Sequence, residues 1–123
     1  MDSIKQLSPS VLSFVGDAVY TLLVRSALAD KSRPSGALHD MAVEFVSATS
    51  QAVAFEKIRD SLTEEELEIF NRGRNFHTNN TPKSARPADY HTATGLECVF
   101  GFLHLSGKTE RIKELFDLIT KEK

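Results

Sequence analysis

The apolar residues of the chain recur with helical spacing, and short polar breaks divide them into separate segments. Ser8 and Pro9 predict a helix start, with Ser8 as the N-cap and Pro9 in the first turn. This first helix should continue to about Ala29. Its apolar residues cover most of its circumference, a pattern that is typical of a helix at the centre of a domain.

The next two segments also carry start and stop signals for helices. Residues 34–58 keep helical spacing, with a bend expected near residues 47–50, where small polar residues and alanine fall together. Thr63 and Glu66 have the spacing of a capping box, so a further helix should begin there. That helix is expected to end near Gly73.

The last third of the chain contains one loop and two further helices. Residues 76–86 lack apolar periodicity, and Asn79 and Pro82 mark them as a loop. A helix that is apolar nearly all round is expected from about Asp89 to Leu105, followed by an amphipathic helix over residues 109–119. No segment alternates with a period of two for long. The pattern therefore predicts an all-α fold without a sheet.

Length and composition narrow the class of protein. The 123 residues, 41% of them apolar, are enough for one modest core, so we expect a single domain over residues 1–123. We expect no membrane span and no signal peptide, because no long uninterrupted apolar run and no cleavage pattern are present. The single cysteine, Cys98, excludes an internal disulfide and favours a reduced, cytoplasmic setting.

The charge is unevenly distributed, although the net charge of −2 is not that of a typical nucleic-acid-binding protein. Residues 71–88 contain no acidic side chain, and they hold four basic ones: Arg72, Arg74, Lys83 and Arg86. A segment of this kind can contact phosphate groups even on a slightly acidic molecule. A solvated loop of one sign is the other interpretation, and charge alone leaves both open.

Each of the two most apolar helices carries one carboxylate within its apolar run, Asp17 in the first and Glu97 in the other. A buried, ionised carboxylate is costly unless it is paired or bound to a metal ion. The neighbouring glycines, Gly16, Gly95 and Gly101, favour a close approach of the two helices, because a glycine lets backbones come near. Such packing would bring Asp17 and Glu97 together.

Two adjacent carboxylates repel each other, and a divalent cation relieves that repulsion. Magnesium prefers oxygen ligands and often uses one or two carboxylates plus water and a substrate phosphate. The pair therefore indicates a magnesium site that faces a groove. The alternative is that each acid pairs with a basic side chain such as Arg25 or Arg111, and the residues alone leave both interpretations open.

The segments around the two acids resemble the two acidic helix motifs of ribonuclease III catalytic domains. They read Val15-Gly16-Asp17-Ala18-Val19 and Ala93-Thr94-Gly95-Leu96-Glu97-Cys98-Val99-Phe100-Gly101-Phe102-Leu103-His104-Leu105. The segments between them resemble the Mini-ribonuclease III branch: Phe45-Val46-Ser47-Ala48, Gln51-Ala52, Arg72-Gly73-Arg74-Asn75 and Pro82-Lys83. The resemblance covers nearly the whole chain. It implies the all-helical ribonuclease III endonuclease fold, working as a symmetric homodimer.

The resemblance also implies a function, an endoribonuclease that depends on Mg²⁺, with Mn²⁺ as a substitute, and cleaves double-stranded RNA. Asp17 and Glu97 are then the expected catalytic and metal-binding residues, and a metal-activated water attacks the phosphodiester. The expected RNA-binding residues are Arg72, Arg74, Asn75, Lys83 and Arg86. Precursor 23S ribosomal RNA is the leading substrate, with a ribosomal protein as a further candidate partner. The alternative is a non-catalytic helical module that binds double-stranded RNA or the ribosome.

Two departures from the family pattern limit what is carried over. Ser13 and Ser10 stand where full-length ribonuclease III has acids one and two turns before Asp17, and Thr94 replaces an aspartate. The number of metal ions per site therefore stays open. A separate RNA-binding domain is not expected after the Glu97 helix. Some of the eight phenylalanines are expected between two subunits or, equally, inside one core.

Overall fold

Helices make up nearly all of the structure, a computed structural model that describes residues 4–29, 34–76 and 86–121. These ranges contain six α-helices, two short 3-10 turns and no strand. The helices are α1 (Pro9–Leu28), α2 (Ser35–Phe45), α3 (Ala48–Ile58), α4 (Glu64–Arg74), α5 (Pro87–Leu105) and α6 (Thr109–Thr120). The 3-10 turns are Ile4–Gln6 and Arg59–Ser61. The prediction of an all-helical fold is confirmed over the described ranges.

The predicted helix starts are capped by the expected side chains. The Ser8 hydroxyl accepts a hydrogen bond from the Val11 backbone N–H at 3.3 Å and begins α1. At α4 the capping box is complete, since Thr63 accepts from the Glu66 N–H at 3.1 Å. Glu66 in turn accepts from the Thr63 N–H at 2.9 Å. Both helix starts are thus encoded by local polar side chains.

The stretch 34–58 differs from the sequence prediction, because it forms two helices rather than one bent helix. The chain breaks at Val46 and Ser47, between α2 and α3. Ser47 has an extended backbone, and its hydroxyl accepts from the Ser50 N–H at 3.2 Å. A serine that serves as an N-cap ends the preceding helix as it begins the next. Helix α5 also begins at Pro87, two residues earlier than predicted.

Helix α5 is the centre of the fold, as its apolar circumference predicts. It packs against α1, α3, α4 and α6, and Leu96, Val99, Phe100 and Leu103 are completely buried. This arrangement confirms the prediction for the helix that carries Glu97.

Helix α1 was also expected at the centre, and that expectation is wrong. It buries one stripe, Leu12, Gly16, Tyr20, Val24 and Leu28, against the rest of the domain. The opposite face leaves three large apolar side chains exposed: Val11 (43%), Phe14 (79%) and Leu22 (66%). The phenylalanines accordingly divide, since Phe100 and Phe102 fill the core and Phe14 does not. By length and composition alone α1 could also cross a membrane, a test that core helices of soluble proteins pass as well.

Two glycines let the backbones of α1 and α5 touch. A Cβ atom on Gly16 would overlap the carbonyl oxygen of Glu97, and one on Gly101 would overlap the carbonyl oxygen of Leu12. These pairings run in opposite directions along the two helices, so α1 and α5 cross antiparallel. Gly95 was expected at the same contact, but it packs against Phe70 of α4 instead. The predicted close approach is therefore confirmed for Gly16 and Gly101 only.

Substitution of Gly16 by alanine should strongly destabilise the protein. The new methyl group would meet backbone atoms of α5, which cannot move aside without displacing the helix. We expect a loss of at least about 3 kcal/mol in the free energy of unfolding, measured by urea denaturation.

Gly36→Ala is the matched control for that substitution. Gly36 lies in α2 with nothing near its would-be Cβ atom, so alanine should be neutral or stabilise the protein by about 0.5 kcal/mol. Equal unfolding midpoints for the two variants would contradict the close helix contact.

Candidate active site

The crossing of α1 and α5 brings Asp17 and Glu97 together. Asp17 directly follows Gly16, the residue whose Cα lies against the Glu97 backbone. The side chain of Asp17 is exposed, whereas Glu97 is only partly accessible. The negative charge of Asp17 acts on the Glu97 carboxyl and raises its pKa. The structure therefore places the two predicted site carboxylates as neighbours.

Gln51 is the side chain that holds Glu97 in place. Its amide nitrogen Nε2 donates to Oε2 of Glu97 at 3.1 Å and to the backbone oxygen of Val46 at 3.0 Å. Gln51 lies on α3 and is 2% exposed. Sequence reasoning gave it no role beyond the Gln51-Ala52 resemblance. A polar residue on the buried face of α3 was the available signal, since such a residue requires a hydrogen-bond partner.

The surroundings of Glu97 disfavour its charge. Burial raises the pKa of its carboxyl, the hydrogen bond from Gln51 lowers it, and the charge of Asp17 raises it again. The resulting pKa is about 7, against an ordinary value of 4.5. Near neutral pH the group is therefore close to half protonated, and a nearby positive charge would favour its ionised form.

Ion pairing, the alternative explanation for the two acids, finds no support in the described part of the chain. Arg111 pairs with Glu66 of α4, with Nε 2.8 Å from Oε2 and NH2 2.7 Å from Oε1. Arg25 is exposed, and no ion pair among the described residues includes Asp17 or Glu97. Burial raises the pKa of the Glu66 carboxyl. The hydrogen bonds from Arg111 and Thr63 lower it by more than burial raises it, so the net shift is downward.

The donor set at the crossing fits a divalent cation that keeps much of its water. Two carboxylates meet there, and the described ranges contain no group of three or more acidic, histidine or cysteine side chains placed to hold a metal ion together. Thr94 donates its hydroxyl to the Tyr90 carbonyl at 3.0 Å and so is engaged within its own helix. Magnesium accepts such a sparse set, because water and substrate oxygens complete its shell.

Of the predicted RNA-binding residues, Arg72 is engaged within the protein. Its guanidinium donates to the backbone oxygens of Lys5 and Leu7, the second at 2.9 Å. These bonds fix the amino-terminal turn against α4. The contacts give Arg72 a structural role, and its contact with RNA stays a prediction.

The remaining predicted RNA-binding residues lie at the ends of two helices. Arg74 and Asn75 are exposed at the carboxyl end of α4. The Arg86 side chain is 82% exposed at the start of α5, where it lies 3.5 Å from Asp89. Lys83 lies outside the described residues. Arg74, Asn75 and Arg86 thus flank the segment between α4 and α5.

Comparison with known proteins agrees with this geometry. The model of the Ribonuclease III domain matches residues 10–108, which include both acidic helices. The chain belongs to the ribonuclease III family. It is 43% identical to the Mini-ribonuclease 3 of Thermoanaerobacter sp. (strain X514), a match that covers 95% of this chain and 83% of that protein. The Mini-ribonuclease 3 of Clostridium tetani is 38% identical, with 94% and 78% covered.

A solved structure shows the same ribonuclease III fold over the whole chain. The crystal structure of a protein from Fusobacterium nucleatum superimposes with a TM-score of 0.90 at 29% sequence identity. It covers 99% of this chain and 100% of that one. Together with the family assignment, the comparisons make this chain an endoribonuclease of a family that acts on double-stranded RNA. The comparisons therefore favour an enzyme over the alternative of a non-catalytic binding module.

Replacement of Glu97 by glutamine should stabilise the metal-free protein at high pH. The raised pKa means that ionisation of Glu97 costs the folded state stability, fully above about pH 7 and not at all below the ordinary value of 4.5. We expect Glu97→Gln to raise Tm by roughly 10 °C near pH 8 and to leave it nearly unchanged near pH 4.5.

Differential scanning calorimetry of both proteins in chelator-treated buffer measures this difference. Comparison at each pH removes the contribution of all other titrating groups. A difference in Tm that stays constant between the two pH values would show that the Glu97 carboxyl is not perturbed as described.

Proposed function

We propose that this chain cleaves double-stranded RNA with Mg²⁺ as its natural cofactor, that Mn²⁺ can substitute, and that precursor 23S ribosomal RNA is its substrate. The observation that carries the metal is the meeting of Asp17 and Glu97 at the helix crossing, where neither acid takes part in an ion pair with another described residue. A pair of carboxylates in which one has a pKa of about 7 is poised to gain from a divalent cation.

The two acids have different tasks in this proposal. A bound cation supplies a water of lowered pKa and polarises the phosphoryl oxygen. Asp17 is exposed, so its carboxylate is accessible to a cation from solvent. Glu97 is anchored by Gln51, and its partial burial fixes the direction of its carboxylate. No side chain has to act as a nucleophile in this arrangement.

The exposed face of α1 supports a homodimer. Val11, Phe14 and Leu22 lie on the side of the helix that faces away from α5, and such a row of large apolar side chains is a common interface feature. Asp17 lies on the flank of α1, between this face and the buried stripe. A two-fold pair of subunits joined through α1 would therefore place two sites along one groove, from which both strands of a duplex could be cut.

The RNA-binding surface that we propose consists of Arg74, Asn75, Lys83 and Arg86. Double-stranded RNA is read mainly through its phosphates and 2′-hydroxyl groups, because its major groove is narrow. Exposed guanidinium groups at the ends of α4 and α5 suit that mode of binding. Two such surfaces in a dimer could hold one duplex.

The proposed compartment and partner come from the chain's resemblance to the Mini-ribonuclease III branch. Ribosomal RNA maturation places the protein in the cytoplasm, with a ribosomal protein as a candidate partner. The buried free thiol of Cys98 is compatible with a reducing compartment. Cleavage of an extended duplex and of a 23S precursor fragment, compared side by side, tests the choice of substrate.

Replacement of Asp17 by asparagine should abolish magnesium-dependent cleavage. The substitution keeps the size of the side chain and removes the charge that binds the cation. We expect the cleavage rate of a labelled RNA duplex to fall by more than about 100-fold, the upper range for residues that only support a metal ligand.

Asp117→Asn is the control, because Asp117 is an exposed aspartate on α6, away from the helix crossing. It should cleave like the wild-type protein. Equal rates for Asp17→Asn and wild type, or cleavage that persists in chelator, would refute the metal-dependent mechanism.

Removal of the proposed RNA-binding charges should weaken binding broadly and flatten its salt dependence. In the Asp17→Asn background, which prevents cleavage, the triple variant of Arg74, Lys83 and Arg86 to alanine loses up to three phosphate contacts. We expect the slope of log K against log salt to decrease in magnitude by about 2 to 3.

A second triple variant, Arg59, Lys113 and Lys121 to alanine, removes the same charge from exposed positions elsewhere. The slope of log K against log salt for this variant should stay close to that of the protein without the triple substitution. A change in overall charge alone alters the salt dependence less than the loss of direct phosphate contacts does. Equal slopes for the two triple variants would exclude the surface at the ends of α4 and α5.

A further inference from the structure

The amide of Gln51 is satisfied at one end only. Both of its hydrogen-bonded contacts involve Nε2, and its oxygen Oε1 is buried without a partner in the described part of the chain. A buried polar atom without a hydrogen bond costs about 1 to 3 kcal/mol, so an unpartnered oxygen on a side chain that is 2% exposed requires an explanation.

The orientation of this amide is fixed by its neighbours. The two atoms near Nε2 are the backbone oxygen of Val46 and a carboxylate oxygen of Glu97, and both accept hydrogen bonds. If the amide nitrogen and oxygen were exchanged, the amide oxygen would face two other acceptors, the Val46 oxygen and the Glu97 carboxylate, and no hydrogen bond could form. With Nε2 held by both acceptors, Oε1 is left as the free acceptor of the amide.

The residue type also matters at this position. A lysine or arginine here would neutralise Glu97 and compete with a cation, and a glutamate would add a third negative charge without a donor. The neutral amide of Gln51 directs Glu97 while leaving its charge available. The bond to Val46 ties the amide to the backbone where α2 meets α3, so the contact is held rigidly.

We infer that Gln51 is a positioning residue of the candidate metal site. Its NH2 group holds Oε2 of Glu97 and thereby directs the other carboxylate oxygen towards the cation. Its buried Oε1, unpartnered in the described part of the chain, would accept a hydrogen bond from a water molecule that a bound cation carries. The inference rests on the divalent-cation site proposed above, and it adds a third side chain to the two carboxylates that the described residues place there.

The decisive experiment measures Mn²⁺ affinity directly, by the electron paramagnetic resonance signal of free Mn²⁺ in titrations of the metal-free protein. Gln51→Met keeps the length of the side chain and removes both polar groups. We expect the dissociation constant for Mn²⁺ to increase by about 10- to 100-fold, the range found when a residue that supports a metal ligand is replaced.

Ser47→Ala is the matched control for loss of stability at the same place. It removes the cap of α3, a change that costs about 1 kcal/mol, and it leaves the contact between Gln51 and Glu97 in place. Mn²⁺ affinity should be that of wild type in this variant. Equal weakening in the Ser47 and Gln51 variants would reduce Gln51 to a structural residue and overturn the inference.

The two proposals fail in different ways. If the wild-type protein itself binds no Mn²⁺, the metal site fails and the inference fails with it. If wild type binds Mn²⁺ and Asp17→Asn does not, while Gln51→Met binds as tightly as wild type, only the role of Gln51 is refuted.

A measurement on the unmodified protein covers the case in which Gln51→Met does not fold. The side-chain NH2 resonances of Gln51 should shift in nitrogen-15 NMR spectra as Mg²⁺ is added, with the same midpoint as the backbone amides of Asp17 and Glu97. Shifts of those backbone amides with stationary Gln51 resonances would contradict the inference.

Discussion

The fold and the site both depend on the contact between the backbones of α1 and α5. Gly16 and Gly101 are the points at which the two helices touch, and any side chain there would force them apart. Asp17 follows Gly16 in the chain and Glu97 supplies the backbone that Gly16 touches. The distance between the two charged groups is therefore set by main-chain packing, which is stiffer than an arrangement made only by side-chain rotamers.

Glu66 and Glu97 illustrate how surroundings decide the state of a carboxylate. Glu66 accepts bonds from Arg111 and Thr63, and its pKa is lowered, so it remains charged and joins α4 to α6. Among the described residues, Glu97 accepts a side-chain hydrogen bond from the neutral amide of Gln51 alone. Burial, and then the nearby charge of Asp17, raise its pKa to about 7. The first arrangement stabilises the fold, whereas the second leaves electrostatic strain that a cation would relieve.

Local signals predicted most of the helices, because caps such as Ser8 and the Thr63 box act within a few residues. The same reasoning predicted the meeting of Asp17 and Glu97 through glycines. It failed where the answer depends on tertiary packing. The apolar circumference of α1 could not show which face meets α5, and nothing local assigned Gln51 to Glu97 across 46 positions of sequence. Nor could the same reasoning show that the Arg72 guanidinium bonds to backbone oxygens of the amino-terminal turn.

Helix α1 has three distinct faces: the buried stripe, the flank with Asp17 and the exposed row with Phe14. Each additional residue in an α-helix turns everything beyond it by about 100°. An insertion or deletion of a single residue between Leu12 and Leu22 would therefore misdirect two of the three surfaces, whichever one the packing preserved. The segment of α1 between these residues therefore tolerates substitutions far better than any change in its length.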